Sequence, residues 1–389
     1  MLHDAAPDAP VPDVPVRDDL HRRRVAASLA HREADRVPLT MGGPSCSLHR
    51  DAHRNLLLEL GLSPEHEAPV IDRILQIVEP DPQLLRRFDV DLLWLLPHEP
   101  DVEWSDDDRS YKDGFGRSFV HGGGFFNQAA HPLREGTAEE LAAYRFPDLS
   151  PALVAGLGEK AGRLHESGYG LGIDGPWGIY ETASSLRGTE DYLVDLALDP
   201  DYARALAERV LEEHHLPLYS LLLGEAGAHA QIVGISDDLG GQQGLIFSPA
   251  TFRSVFKPLL RRLVDHIHGL TDARVYMHSD GAIFDLIPDL IDAGVEGLNP
   301  VQYTARGMEL DRLKREFGAN LGFFGGTLDN EVLSYGTPEA IRRVVRDNVA
   351  TLAPAGGFLF ASIHNIAPEV PPENVVALFE AGLEFGSDL

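Results

Sequence analysis

Between Ala273 and Gln302 the chain reads ARVYMHSDGAIFDLIPDLIDAGVEGLNPVQ. A β-branched and aromatic run, Arg274-Val275-Tyr276-Met277, ends in His278, Ser279, Asp280 and Gly281. Phe284, Leu286, Ile287, Leu290 and Ile291 then recur at helical spacing as far as Gly294, a helix stop. A second apolar run, Val295 to Leu298, exits into Asn299, Pro300 and Gln302. Strand, helix and strand with polar groups at both strand exits is the unit of a parallel α/β enzyme, whose chemistry collects at those exits.

The same rhythm runs through the chain. Further strands are expected at Val37 to Met41, Val90 to Leu96, Tyr169 to Ile173, Ala230 to Ile235, Leu321 to Phe324 and Phe358 to Ala361. Helical patterns separate most of them, over about 200–223, 249–268, 310–317, 338–352 and 371–385. Eight strands in this alternation predict an α/β fold, a (β/α)8 TIM barrel, as a single domain over 18–389. Residues 98–135 break the rhythm. Trp104, Tyr111, Phe115, Phe119, Phe125 and Phe126 alternate there with Gly, Asp and Ser, which reads as a β-hairpin insertion. Residues 1–17, rich in Ala, Pro and Asp, read as a flexible tail. No G-x-G-x-x-G follows the first strand, which disfavours a dinucleotide fold.

Charge narrows the partners. With 33 basic and 61 acidic residues, the formal charge is −28, a surface that repels nucleic acid and anionic lipid. No apolar run approaches the ~20 residues of a membrane span. The N-terminal stretch carries Asp4, Asp8 and Asp13 and no apolar h-region, so no signal peptide is expected. The one cysteine, Cys46, excludes an internal disulfide and a cysteine-rich zinc site. A cytoplasmic enzyme is the expectation.

In a barrel the exits converge on one mouth. They carry Gly42-Gly43, Leu96-Pro97, Asp174, Asp237-Asp238, His278-Ser279-Asp280, Asn299 with Gln302, Gly325-Gly326 with Asp329, and His364-Asn365. His278 and Asp280 lie two apart, so both side chains can point the same way in an extended exit. With His364 they could hold zinc or another divalent metal, since two imidazoles and a carboxylate suit Zn, Mn or Fe(II). Alternatively His278 is a general acid or substrate donor oriented by Asp280.

Consecutive strand residues face opposite ways, so one of Asp237 and Asp238 is expected to face the mouth while the other caps the next segment. Asp174 is an acid/base candidate or else a helix N-cap. Tyr180 could donate to substrate or pack as a half-buried ring. Asn299, Gln302, Gln242 and Asn365 are orienting candidates, or satisfy loop backbone. Trp177 is a substrate-side stacking candidate, although such a ring is more often packing. His49, Arg50, His53 and Arg54 could meet an anionic group, or form a solvated helix face.

These stretches resemble the uroporphyrinogen decarboxylase superfamily over roughly 35–386. R-V-P-L at 36–39, G-P-W-G-I-Y at 175–180 and D-D-L-G-G-Q at 237–242 carry the resemblance. So do H-S-D-G with N-P-V-Q at 278–302, G-G-T-L-D-N at 325–330, Y-G-T-P-E-A-I at 335–341 and H-N-I-A-P-E-V-P-P-E-N at 364–374. The resemblance implies a (β/α)8 barrel, often a homodimer, with its site at the strands' C-terminal mouth.

Two branches are implied. The decarboxylases use no cofactor, hold a tetrapyrrole's carboxylates with an R-Q-A-G-R-like motif and protonate a pyrrole through an F-S-D aspartate. Here the corresponding exits read M-G-G-P-S-C and L-L-P-H-E, while Tyr180 and His364 match. The zinc-dependent methyltransferases exchange methyl groups with a corrinoid protein. They bind zinc through an H-x-C pair and a later cysteine. Here those positions read His278-Ser279-Asp280 and Ser362-Ile363-His364, without thiolates. The resemblance implies a divergent member, closer in motif to the methyltransferases. An oxygen- and nitrogen-lined site is harder and suits an oxygen nucleophile, an ether or a carboxylate better than a thiol. Decarboxylation of a carboxylated aromatic or pyrrolic substrate is the alternative.

Overall fold

The computed structural model describes residues 19–43, 45–63 and 67–387. The tail expected over 1–17 lies outside them. Among the described residues sixteen strands follow in chain order: β1 Leu48–His49, β2 Val70–Asp72, β3 Ile77–Val78, β4 Leu92–Leu95, β5 Glu103–Trp104, β6 Ser110–Lys112, β7 Ser118–Gly122, β8 Phe125–Ala130, β9 Gly170–Asp174, β10 Ile232–Ser236, β11 Gly240–Gly241, β12 Gly244–Leu245, β13 Arg274–His278, β14 Gly297–Asn299, β15 Gly322–Phe324 and β16 Phe358–Leu359. The main sheet has seven strands in the order β16-β15-β14-β13-β10-β9-β4, compatible with a TIM-like barrel. The chain divides into two compact units.

The first unit comprises 1–96, 159–172 and 310–389. No strand forms over 37–41. Instead Leu39 bridges Phe360 and Thr40 bridges Leu92, both in parallel. The expected first strand is therefore two isolated bridges. Backbone groups that would extend a ladder are taken elsewhere: Leu39 N–H donates to Asp91 Oδ2 at 2.8 Å, and Gly42 N–H to Cys46 O at 2.9 Å. Asp91 is fully buried and binds Arg24 (3.1 Å), Arg36 (2.5 Å) and His21 (2.7 Å). Two guanidinium groups and the His21 ring nitrogen offset the desolvation of that carboxylate. β15 and β16 pair in parallel, Phe323 beside Phe358. Helix Pro338–Leu352 starts where its sequence predicts, with Thr337 Oγ1 accepting from Ala340 N–H and proline in the first turn.

The second unit comprises 97–158 and 173–309. β10, β13 and β14 pair in parallel with Ser236, His278 and Asn299 aligned. The predicted hairpin is a four-stranded antiparallel sheet, β5-β6-β7-β8. Trp104, Tyr111, Phe119 and Phe126 pack on one another there, with Tyr111 and Phe119 stacked at 4.9 Å. Alternating aromatics give each strand one apolar face, so the insertion has a small core of its own. No helix among the described residues is long and apolar enough to cross a membrane.

Candidate functional site

Strand register builds the site. Ser236, His278 and Asn299 are lateral partners on three adjacent parallel strands. In-register neighbours project to the same face. His278 Nδ1 lies 2.7 Å from Asn299 Oδ1. An amide oxygen only accepts, so Nδ1 carries the proton and Nε2 the lone pair. Nε2 is 3.9 Å from Asp238 Oδ1, and that oxygen accepts from Asp280 N–H at 2.8 Å. Gln302 Oε1 accepts from Gly281 N–H at 2.7 Å, and Ser279 Oγ from Leu239 N–H at 3.0 Å. Gly281 has φ +86°, and a Cβ there would meet Gly240 backbone at 2.4 Å. Only glycine lets the β13 exit turn this closely against the β10 exit.

A second layer of carboxyls surrounds this row. Helix Ile179–Arg187 points its N-terminus at Asp237, which accepts from Tyr180 N–H (3.0 Å) and Glu181 N–H (2.9 Å). Glu181 reaches back to Gly178 N–H (3.2 Å) and accepts from Ser236 Oγ (2.8 Å). Asp174 accepts from Gly175 N–H at 2.9 Å. Its carboxyl fills the space above Gly234, where a Cβ would lie 2.7 Å from Asp174 Cγ.

Burial dominates the electrostatics. It pushes Asp174 up to about 7, against the Gly175 N–H and His278. Burial raises Glu181, helped by Asp238 and opposed by His278. Burial and Glu181 raise Asp237 despite its two N–H donors. Burial disfavours the His278 imidazolium, yet Asp280, Asp238, Asn299 and Glu181 outweigh it and raise His278 above its ordinary value. Burial, with Asp237 next, pushes Tyr180 up to about 12, so it stays a neutral phenol.

The remaining candidates separate by role. Asp237 is a helix cap, and Asp238 is the member of the pair that faces His278. Tyr180 is 3% exposed and packs among Tyr192, Phe247 and Phe256. Trp177 is exposed, with the Arg117 guanidinium 5.5 Å from its ring. Gln242 is exposed on the β11–β12 turn, and its carbonyl accepts from Arg306 N–H. In the first unit, His364 is half-buried on the segment after β16, and Asn365 Oδ1 accepts from Ser47 N–H at 2.9 Å. His49 and His53 are buried and accept from Asp51 and Asp81 N–H, while Arg50 and Arg54 pair with Glu67 and Asp51. That favours the structural reading of this motif. His278, Asp280 and His364 make up a candidate metal-ligand set, one ligand atom each.

Glu181 was not singled out by sequence. Its signal is the spacing Gly178-x-x-Glu181, a capping-box spacing without the hydroxyl residue that makes the motif conspicuous.

A family model described as uroporphyrinogen decarboxylase (URO-D) matches residues 172–385, more than half of the chain. The chain belongs to the URO-D family. The URO-D relatives include the uroporphyrinogen decarboxylase of Pseudomonas fluorescens Pf-5, 26% identical over 216 residues, 54% of this chain and 57% of that protein. The uroporphyrinogen decarboxylase of Pseudomonas putida F1 matches at 26% over 216 residues, with the same coverage. The chain thus spans little more than half the length of these curated relatives. Among solved structures, a methyltransferase from Methanosarcina mazei superposes with a TM-score of 0.63 at 17% identity, covering 94% of this chain and 99% of that one. That likeness is one of fold. It extends over both units of this URO-D-family chain, although the family match itself begins only at residue 172.

Proposed function

We propose that this URO-D-family chain catalyses metal-assisted methyl transfer on a small substrate, with His278, Asp280 and His364 holding a divalent ion. The observation that supports the reading is that His278, Asp280 and His364 offer ligand atoms within 4.8 Å of one another, with Asn299 holding the His278 ring through Nδ1. The donor set fits zinc or a comparable ion: two imidazoles and one carboxylate, with no thiolate. Such an ion supplies Lewis acidity to a coordinated substrate atom. Asp238 anchors the β13 exit through Asp280 N–H. Asp174, with its pKa near neutrality, gives or takes the proton at the methyl acceptor. Asp237 and Glu181 fix the N-terminus of helix Ile179–Arg187 against the β10 exit.

The reading extends to a single (β/α)8 domain over 18–389, with the Leu39 and Thr40 bridges standing where its eighth strand would run and 98–135 as an insertion. It also extends to a cytoplasmic homodimer and a corrinoid protein as methyl carrier. Residues Trp177, Gln242, Asn299, Gln302 and Asn365 would line the substrate side.

Cofactor-free decarboxylation is the second reading, favoured by the names of the Pseudomonas relatives. There Tyr180 and His364 would polarise a carboxylated substrate while an aspartate delivers the proton. The packing of Tyr180 among three rings weighs against it. Metal analysis of protein purified without chelator, beside a His278→Ala variant, separates the two. About one equivalent of metal, lost in the variant, supports methyl transfer. Metal-free protein that releases CO2 from a carboxylated pyrrole overturns it.

A further inference from the structure

Two left-handed glycines turn the chain where it leaves β15: Gly325 and Gly326 both have φ +76°. Glycine takes that conformation without strain, and two in succession bend the exit sharply. Thr327 and Leu328 follow, both buried. Beside them runs the exit of β16. Gly325 N–H donates to Leu359 O at 3.0 Å, and the Thr327 hydroxyl donates to Ala361 O. Ser362 and Ile363 come next and are also buried. All of these residues belong to the first unit.

The carbonyls fix where the N–H groups point. The peptide bonds of both exits are trans, so each N–H points opposite to the carbonyl of the same peptide. Asn348, on helix Pro338–Leu352, donates to Gly326 O at 3.5 Å and to Thr327 O at 3.1 Å. The Thr327 and Leu328 N–H groups therefore face away from that helix. β16 pairs with β15 on one side and meets the Leu39 bridge on the other. Cys46, which follows that bridge in the chain, donates through Sγ to Ser362 O at 3.6 Å. The Ile363 N–H therefore faces back toward the β15 exit. None of these three N–H groups has an acceptor among the described residues, and neither has Ser362 Oγ, on a side chain 1% exposed. Buried donors are nearly always paired, so four unpaired ones on adjoining exits form an electropositive cradle. The neighbouring carboxylate, Asp329, caps helix Asn330–Tyr335 by accepting from Glu331 N–H at 2.8 Å.

We propose that this cradle binds the phosphoryl group of a small-molecule substrate. Backbone N–H groups gathered at left-handed turns hold anions without help from a basic side chain. β15 and β16 close one end of the main sheet's strand order. The loops after the last two strands of (β/α)8 barrels are a frequent phosphate site. A phosphoryl group also offers more acceptor oxygens to the four donors than a carboxylate does. Calling the bound molecule a substrate rests on the methyl-transfer reading; the binding itself does not.

Isothermal titration of the full chain with inorganic phosphate, and separately with acetate, tests this. EDTA is present throughout, so that no metal bridges protein and anion. Phosphate should bind saturably and about 10-fold or more tighter than acetate. Ser362→Ala should weaken phosphate binding by about 10-fold, the loss of one hydrogen bond to a charged group. No saturable binding of phosphate, acetate binding as tightly as phosphate, or unchanged phosphate affinity in a folded Ser362→Ala would each overturn it. The phosphate-to-acetate comparison uses the unmutated protein, so it decides even where Ser362→Ala does not fold. Failure of the methyl-transfer reading shows separately, in metal content and methyl products, and leaves this titration unaffected.

Discussion

His278 and Asn299 are register partners on adjacent parallel strands, with Nδ1 and Oδ1 2.7 Å apart. The contact sets the tautomer and plane of the imidazole. Asn299→Ala should therefore weaken zinc binding by about 10- to 100-fold without unfolding the protein, the usual cost of losing a residue that orients a ligand. Competition titration against a chromophoric chelator measures this. Unchanged affinity would mean that Asn299 does not position His278.

Gly234→Ala tests the placement of Asp174. The new Cβ would sit 2.7 Å from Asp174 Cγ, so the carboxyl must swing away. Turnover should fall about 100-fold, the lower range for loss of a general acid or base, while metal content stays at wild-type level. A variant with normal turnover would remove Asp174 from the proton-transfer role.

His214 and His215 make the fold acid-labile. Burial lowers His214 to about 3 and His215 to about 4. His215 Nε2–H donates to Trp177 O at 2.7 Å, and His214 packs on Phe115 at 4.9 Å. In the unfolded chain both titrate near 6.5, so that state binds more protons between about pH 6.5 and 4. Stability is then fully present above about 6.5 and falls as pH drops through that window, by on the order of 2 kcal/mol per imidazole at pH 5. Urea melts at pH 7.5 and 5.0 should show the loss, and His214→Phe should reduce it. A flat profile would contradict the burial of the pair.

Asp91→Ala should destabilise by about 3 kcal/mol, because it removes the fully buried carboxylate that Arg24 and Arg36 share and leaves them only the more exposed Asp35 and Asp89. Urea denaturation measures it. A loss under about 1 kcal/mol would show that the cluster holds little of the fold.

Much of this was legible in the sequence where periodicity is strong. Helices 310–317 and 338–352 fall where their apolar spacing and caps put them. The exits at Asp174, His278 and Asn299 were visible because a β-branched run stops abruptly at a polar residue. Three things were hidden. The pairing of His278 with Asn299 depends on register between strands separated by a helix, which local pattern does not encode. The split of Asp237 from Asp238 depends on a helix N-terminus arriving from 57 residues earlier, at Tyr180. Residues 37–41 have strand composition, but Asp91 and Cys46 take the hydrogen bonds that a ladder needs. The aromatic insertion resolved into four strands because each short run pairs with the next rather than with the main sheet.

The most direct test of metal-assisted chemistry is elemental analysis of the chelator-free protein alongside His278→Ala, Asp280→Ala and His364→Ala. The account predicts about one equivalent of a divalent transition metal per chain in the unmutated protein and near-complete loss in each variant. Metal-free protein, or variants that keep their metal while folded, would contradict it.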